Sequence, residues 1–211
     1  MMLTPGGGTG GGPGRPALPD QRKSQALASL AKYLGAQEGL QVIDFGGLNQ
    51  QNLDFVTSFG HRLYAEDLLS SYEWYFSGAE RAAGAAEAHR IEEFLEATLA
   101  FKDSSVGAVF LWDRLQFVFP QLAEAFVARL KRIMAHDALL LAIFHPEQAL
   151  NAAPRACLIV GDSAEIIATP KGAARLAERF NARAIERLFS GFGSVKFYMT
   201  RDSQQEVLIR R

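Results

Sequence analysis

Hydrophobic and polar positions follow two patterns along this chain, and each pattern predicts a different element. Unbroken apolar runs of about four to eight residues are typical of strands buried on both faces of a parallel sheet. Such runs lie at residues 107–112 and 139–144, apolar residues also dominate 40–45 and 62–65, and Ile91 to Phe94 suggests a further short strand. They predict four strands and a short fifth.

Between these runs, apolar residues recur three and four positions apart, which is the spacing of one helix face. We expect four helices on this basis, at 20–35, at 49–59, after Pro120 and at 171–189. Asn181 interrupts the last of them, because asparagine favours helix ends. The stretch at 70–88 mixes aromatic and charged residues without a clear period and predicts no definite element.

Two pairs of short apolar segments occupy the C-terminal third. Segments 157–160 and 165–168 flank Gly161-Asp162, and segments 195–200 and 206–210 flank a short polar connection. Short connections favour antiparallel hairpins. Strands that alternate with helices and end in a hairpin predict an α/β fold, with a doubly wound, mostly parallel Rossmann-like sheet and a C-terminal antiparallel hairpin.

Length and composition allow one hydrophobic core. The chain has 211 residues, of which 48% are hydrophobic, and we expect a single domain over 20–211. Residues 1–19 are rich in Gly and Pro and offer few side chains to bury, so we expect a disordered tail there.

Charge and residue counts argue against several partners. Lys and Arg number 22 and Asp and Glu number 23, so a net charge of -1 offers no general attraction to nucleic acid or to a membrane. The start lacks the apolar stretch of a secretory signal, and we expect a cytoplasmic protein. The single cysteine, Cys157, has no disulfide partner, and no histidines stand at metal-binding spacing, so we expect no metal site. The oligomeric state stays open.

One loop carries a candidate ligand-binding pattern. A predicted strand ends in Asp44 and is followed by Gly46 and Gly47, which is typical of a strand that turns into a cofactor loop. Glycines let the backbone approach a ligand closely because no Cβ intervenes. Leu48 and Gln50 stand where further glycines would complete the pattern, so the direction of the Leu48 side chain bears on how open the loop is.

Several segments occur in the same order as in the class I S-adenosylmethionine-dependent methyltransferases, and the chain resembles that family, especially its type 11 group. The matching segments are 44–50, 66–67, 99–109, 123–144 and 187–195. Within them, Ala100, Gly107 and Asp137-Ala138 replace residues that are usual in the family.

The resemblance implies a methyltransferase sheet, S-adenosylmethionine as cofactor, and direct methyl transfer to a small molecule. It implies a cofactor site formed by Asp44, Gly46, Gly47, Glu66, Asp67, Glu96, Trp112 and Asp113. In that site Glu66 would hold the ribose hydroxyls and Glu96 would contact the adenine amine. Such transfer depends on alignment of the reactants, so the resemblance identifies no catalytic residue.

Several of these residues have structural alternatives. Asp67 and Asp113 also suit helix caps, and Trp112 suits a core position as well as a wall that stacks on a cofactor. Asn49, Gln50 and Asn52 offer side-chain hydrogen bonds in place of the missing glycine contacts. The missing glycines motivate a second hypothesis, an inactive methyltransferase-fold module that serves in binding or interaction.

Overall fold

The computed structural model describes residues 20–148, 152–161, 164–171, 176–200 and 203–211. The tail expected at 1–19 lies outside these ranges. The strands within them are β1 Asp20–Lys23, β2 Gln41–Asp44, β3 Arg62–Ala65, β4 Val106–Trp112, β5 Met134–Phe144, β6 Arg155–Val160, β7 Glu165–Pro170, β8 Ser194–Met199 and β9 Gln205–Arg210. The helices are α1 Gln25–Leu34, α2 Gln50–Ser58, α3 Leu68–Tyr75, α4 Gly78–Ala83, α5 Ala88–Thr98, α6 Pro120–Ile133 and α7 Ala182–Leu188. None of these helices has both the length and the apolar character needed to cross a bilayer.

Six strands form the main sheet in the order β3-β2-β4-β5-β9-β8. The first four are parallel to one another, and β9 runs antiparallel to both of its neighbours. The predicted α/β fold, with a mostly parallel sheet and a C-terminal antiparallel hairpin, is therefore confirmed.

Both faces of the main sheet are covered at its central strands, which explains the unbroken apolar runs there. Along β4, Val109 and Leu111 pack into one core cluster, while Ala108 and Phe110 pack into the other. Because successive side chains point to opposite faces, a strand between two cores needs apolar residues at every position.

A second, three-stranded sheet has the order β1-β7-β6. Its β6–β7 hairpin confirms the predicted pairing around Gly161. The helix expected from residue 20 begins only at Gln25, after Ser24 caps it, because β1 pairs antiparallel with β7. The partner of β1 lies about 145 positions away, for example Asp20 opposite Ala168, so local periodicity does not reveal this strand.

The short strand expected at 91–94 is wrong, since these residues lie inside α5. Ile91, Phe94 and Leu95 are buried at helical spacing, while Glu92 and Glu93 are exposed. A strand between two cores has no place for two adjacent charges, whereas a helix turns both toward solvent. As a result, β3 forms an edge of the main sheet.

Two other segments differ from the expected pattern. The helix expected at 171–189 is limited in the described residues to α7, which Asn181 caps, and residues 172–175 lie outside the described ranges. The unassigned stretch at 70–88 contributes to α3 and α4. Asn181 therefore starts a helix and does not interrupt one.

Gly107 in β4 leaves no room for a side chain. A Cβ there would lie 2.6 Å from Leu40 Cδ2 and 3.0 Å from Leu40 Cβ. We expect Gly107→Ala to lower the free energy of unfolding by about 1–3 kcal/mol, because overpacking forces the core to shift. Urea denaturation followed by circular dichroism measures the change. Gly78→Ala is the matched control, since a Cβ at Gly78 meets open space, and equal losses in both variants would contradict the explanation.

Candidate functional site

Residues 44–49, which we call the glycine loop, connect β2 to α2 at the carboxyl edge of the main sheet. Backbone hydrogen bonds hold the loop on both sides. The Phe45 N–H donates to the Phe110 carbonyl at 2.9 Å, and the Gly47 N–H donates to the Glu66 carbonyl at 3.1 Å. The loop is thus fixed between β4 and the segment that follows β3.

Asp44 is fully buried, with 0% of its surface exposed. Its Oδ1 accepts hydrogen bonds from the Gly46 N–H at 2.8 Å and the Trp112 indole N–H at 2.6 Å, and its Oδ2 accepts one from the Asn52 amide at 2.6 Å. Burial raises the pKa of Asp44, while these three donors act in the opposite direction. The carboxylate therefore serves the protein's own contacts and presents no oxygen at the surface.

Trp112 fills the space next to Gly46. A Cβ built on Gly46 would lie 2.9 Å from Cδ1 and Nε1 of the indole, and the indole also stacks on Phe110 with ring centroids 5.3 Å apart. The backbone of Trp112 has a φ of 53°, a left-handed conformation that costs a residue with a side chain about 1–2 kcal/mol. Surrounding contacts hold it there. The space that the missing Cβ of Gly46 leaves is thus taken by the Trp112 side chain.

Asn52 connects this cluster to the second sheet. Its Oδ1 accepts a hydrogen bond from the Ile159 N–H at 2.9 Å, and its Nδ2, already bonded to Asp44, also donates to the Cys157 carbonyl at 3.2 Å. Cys157 is buried, and burial raises the pKa of its thiol. Strand β6 is therefore fastened to the first turn of α2, beside the glycine loop.

A second buried polar cluster follows β4. Asp113 pairs with Arg114 at 2.7 Å, accepts a hydrogen bond from the Arg155 N–H at 3.0 Å, and lies 3.1 Å from His145 Nε2. The Arg114 guanidinium also donates to the Arg155 carbonyl at 2.9 Å. The capping alternative for Asp113 is wrong, because its side chain makes no cap hydrogen bond to the turn that follows. Asp113 and Arg114 instead fasten the start of β6.

Arg114 is a site residue that the sequence patterns did not single out. The sequence feature that could have indicated it is the charged pair Asp113-Arg114 directly after an apolar run. A charged pair at the end of a buried strand needs polar partners nearby, since isolated buried charges are costly.

Glu66 and Asp67 follow β3 beside the glycine loop. Asp67 accepts a hydrogen bond from the Ser70 N–H at 3.2 Å, which confirms its helix-cap interpretation, and forms an ion pair with Lys171 at 3.1 Å. Burial alone would raise the pKa of Asp67, but the Ser70 N–H and the Lys171 ammonium hold it below its usual value. Glu66 accepts a hydrogen bond from the Ser71 hydroxyl. Both carboxylates are partly exposed.

Leu48 and Glu96 both face solvent. Leu48 is 77% exposed, so its side chain does not obstruct the glycine loop, in contrast to Trp112. Glu96 lies on the exposed side of α5. The structure thus brings Asp44, Gly46 and Trp112 into direct contact, while Glu96 is separate from that cluster.

A cavity of about 670 Å³ lies beside Asp67, within the range of about 300–1,000 Å³ that is usual for small-molecule sites. Charged side chains of both signs contribute to its lining: Asp67, Glu73, Arg81, Arg114 and Lys171. Tyr72 and Phe117 add aromatic surface. Of the proposed cofactor residues, Asp67 is the one that lines this cavity.

The glycine loop leaves no open space beside Gly46 in this conformation. The place beside Gly46 is filled by the Trp112 indole, and the Asp44 oxygens are used by protein donors. A ligand that approaches the loop closely would first have to displace the indole. Among the described residues, no group of three His, Cys, Asp or Glu side chains is placed to hold a metal ion.

Comparison with known proteins gives structural matches alone. No protein-family model matches the chain, and no curated protein does. The PH0226 protein of Pyrococcus horikoshii OT3 has a TM-score of 0.52 at 10% identity over 88% of each chain. A candidate type 11 methyltransferase from Sulfolobus solfataricus has a TM-score of 0.49 at 14% identity, covering 87% of this chain and 90% of its own. The 1,6-didemethyltoxoflavin-N1-methyltransferase of Burkholderia thailandensis, solved with S-adenosylhomocysteine, has a TM-score of 0.46 at 11% identity, covering 89% and 78%.

The chain shares its fold, a doubly wound α/β sheet flanked by helices, with the PH0226 protein. Its mixed sheet and its flanking helices agree with that fold. At identities this low, the likeness concerns the fold alone.

Replacing Asp44 tests the buried cluster. Asp44→Asn leaves one oxygen where two accept hydrogen bonds, so at least one N–H donor faces an NH₂ group. We expect a loss of about 1–3 kcal/mol in the free energy of unfolding near neutral pH. The raised pKa of Asp44 means that the folded state binds this proton more tightly than the unfolded state. The contribution of Asp44 to the free energy of unfolding therefore falls as the pH rises from its pKa in the unfolded state to its pKa in the folded state. The difference in free energy of unfolding between wild type and Asp44→Asn narrows over that pH range.

Chemical denaturation at a series of pH values measures both effects. The control is Asp54→Asn, because Asp54 lies on the exposed side of α2 and we expect a change of no more than about 0.5 kcal/mol there. A gap between wild type and Asp44→Asn that widens with rising pH would contradict the assignment.

Proposed function

We propose that this protein is an S-adenosylmethionine-dependent methyltransferase that acts on a small molecule. The observation that carries the proposal is a ligand-sized cavity at Asp67, next to the glycine loop of a methyltransferase fold. In open α/β sheets, ligands bind beyond the carboxyl ends of the strands, and Asp67 follows the carboxyl end of β3.

The chain's own residues have different parts in this proposal. Asp67, with its lowered pKa, is a carboxylate acceptor that a ligand in the cavity can reach, and Glu66 is its partly exposed neighbour. The two acids suit hydroxyl donors such as those of a ribose. Asp44 acts through other residues, since it orients Gly46 and Trp112 and is itself buried.

The lining of the cavity supports a polar acceptor of modest size. Arg81, Arg114 and Lys171 provide positive charge, of which Arg114 already pairs with Asp113, while Glu73 and Asp67 provide negative charge and Tyr72 adds an aromatic wall. A molecule with both polar groups and a flat apolar part would find complementary partners there. The balance of charge does not favour a polyanion.

A second candidate function is a binding module without catalysis. The indole of Trp112 occupies the place beside Gly46, and a protein that never binds the cofactor could keep this arrangement permanently. Measurement of cofactor binding separates the two candidates.

Cofactor binding is the direct test of the proposal. Isothermal titration of the full chain with S-adenosylmethionine should give a saturable heat, and millimolar cofactor should raise the melting temperature. We expect Glu66→Gln to weaken binding by about tenfold to a hundredfold, because a charged hydrogen-bond acceptor is lost. Glu93→Gln, on the exposed side of α5, should leave the affinity unchanged.

Two results would contradict the proposal. Absence of both heat and thermal shift, in folded wild-type protein and in a Trp112→Ala variant that lacks the indole beside Gly46, would exclude the methyltransferase function. Equal weakening by the Glu66 and Glu93 substitutions would remove the assigned role of Glu66.

A further inference from the structure

We propose that Trp112 determines whether the glycine loop accepts a cofactor: its indole occupies the place of the ligand, and binding requires the indole to leave. The inference rests on the proposed function, because it concerns the same site. It adds that the protein carries an internal occupant there, which a ligand must replace.

The indole makes contacts that a ligand at the loop would otherwise make. A Cβ built on Gly46 would lie only 2.9 Å from the nearest indole atoms. The indole can approach the backbone this closely because glycine has no Cβ. Its N–H donates to Asp44 at 2.6 Å, which satisfies a buried carboxylate that would otherwise need another donor. The indole therefore occupies both the space beside Gly46 and a hydrogen-bonding position of the Asp44 carboxylate.

Some interactions hold the Trp112 indole in place and others favour its movement, so the residue is suited to change position when a ligand binds. The stacking on Phe110 and the bond to Asp44 hold the indole in place. Against them, the residue keeps a left-handed backbone, and the pairing of β4 with β5 becomes irregular at this point, where Trp112 stands opposite Ala142. Backbone strain of this kind lasts only while the surrounding contacts maintain it. Its release would offset part of the cost of moving the indole.

The second sheet restricts this movement. Asn52 donates to the same carboxylate and also contacts the β6 backbone at Cys157 and Ile159. Arg114, directly after Trp112, fastens β6 through the Arg155 carbonyl. Residues on both sides of the indole thus tie it to β6, and we expect ligand entry to loosen β6 at the same time.

Leu48 supplies a comparison within the same loop. It replaces a glycine of the usual pattern, yet its side chain is 77% exposed and leaves the space beside Gly46 clear. The obstruction therefore comes from the end of β4 and not from the altered loop residue. Substitution of Trp112 should accordingly change the cofactor affinity.

The chain provides a direct optical probe of the indole. It contains two tryptophans, and these differ sharply in environment, since Trp74 is 80% exposed and Trp112 is 1% exposed. In a Trp74→Phe variant, the emission comes from Trp112 alone. Without ligand, we expect blue-shifted emission that acrylamide quenches poorly. Saturating S-adenosylmethionine should shift the emission to longer wavelength and increase the quenching constant.

Affinity measurements test the same point independently. Trp112→Ala and Trp112→Phe should bind S-adenosylmethionine more tightly than wild type, by about tenfold or more for the alanine variant, because the ligand no longer has to displace the full indole. Trp74→Phe is the matched control and should keep the wild-type affinity. A purely structural role of Trp112 predicts weaker binding of S-adenosylmethionine by these variants, since loss of a packing residue would disturb the site. If Trp112→Ala does not fold, the affinity of Trp112→Phe and the quenching measurement on Trp74→Phe still test the inference.

The outcomes separate this inference from the proposed function. Tighter binding by the Trp112 variants, with or without detectable binding by wild type, supports the inference. Binding by wild type with unchanged Trp112 emission and quenching overturns the inference and leaves the methyltransferase proposal intact. Absence of binding in folded wild type and in every folded Trp112 variant overturns both.

Discussion

The buried carboxylate of Asp44 is the constraint on which the carboxyl edge of this protein depends. A charge at 0% exposure is tolerated only when hydrogen-bond donors surround it, and Asp44 takes those donors from three different elements. The glycine loop contributes a backbone N–H, β4 contributes an indole, and α2 contributes an amide. Removal of any one donor would leave part of the charge unsatisfied, so the three elements are held together.

The same contacts explain why the second sheet lies where it does. Asn52 extends the Asp44 cluster to β6, and the pair formed by Asp113 and Arg114 fastens the start of β6 at a second point. Protein atoms thus cover the edge beside Gly46. The open volume lies instead beside Asp67, in a cavity with charges of both signs. The cavity supports the proposed function, while the space beside Gly46 is closed by a side chain.

Local sequence patterns predicted the elements whose stabilisation is local or repeats along the chain. The apolar runs of β2, β4 and β5, the amphipathic helix α6 and the terminal hairpin all appear as expected. The pattern failed at α5, where Ile91 and Phe94 suggested a strand although two exposed glutamates lie between them. It also missed β1, because that strand exists only through pairing with residues about 145 positions away.

At the candidate site, the sequence by itself determined which chemical groups stand at the carboxyl edge: an acid and two glycines after β2, two acids after β3, and Trp112 at the end of β4. These follow from strand order, since parallel strands present their carboxyl ends at one edge. Only the tertiary structure decided how the groups use one another. Trp112 and Asp44 lie 68 positions apart, and neither periodicity nor motif spacing indicates that the indole enters the space left by Gly46. That contact depends on a left-handed turn and an irregular register at the end of β4, which are set by packing against neighbouring strands.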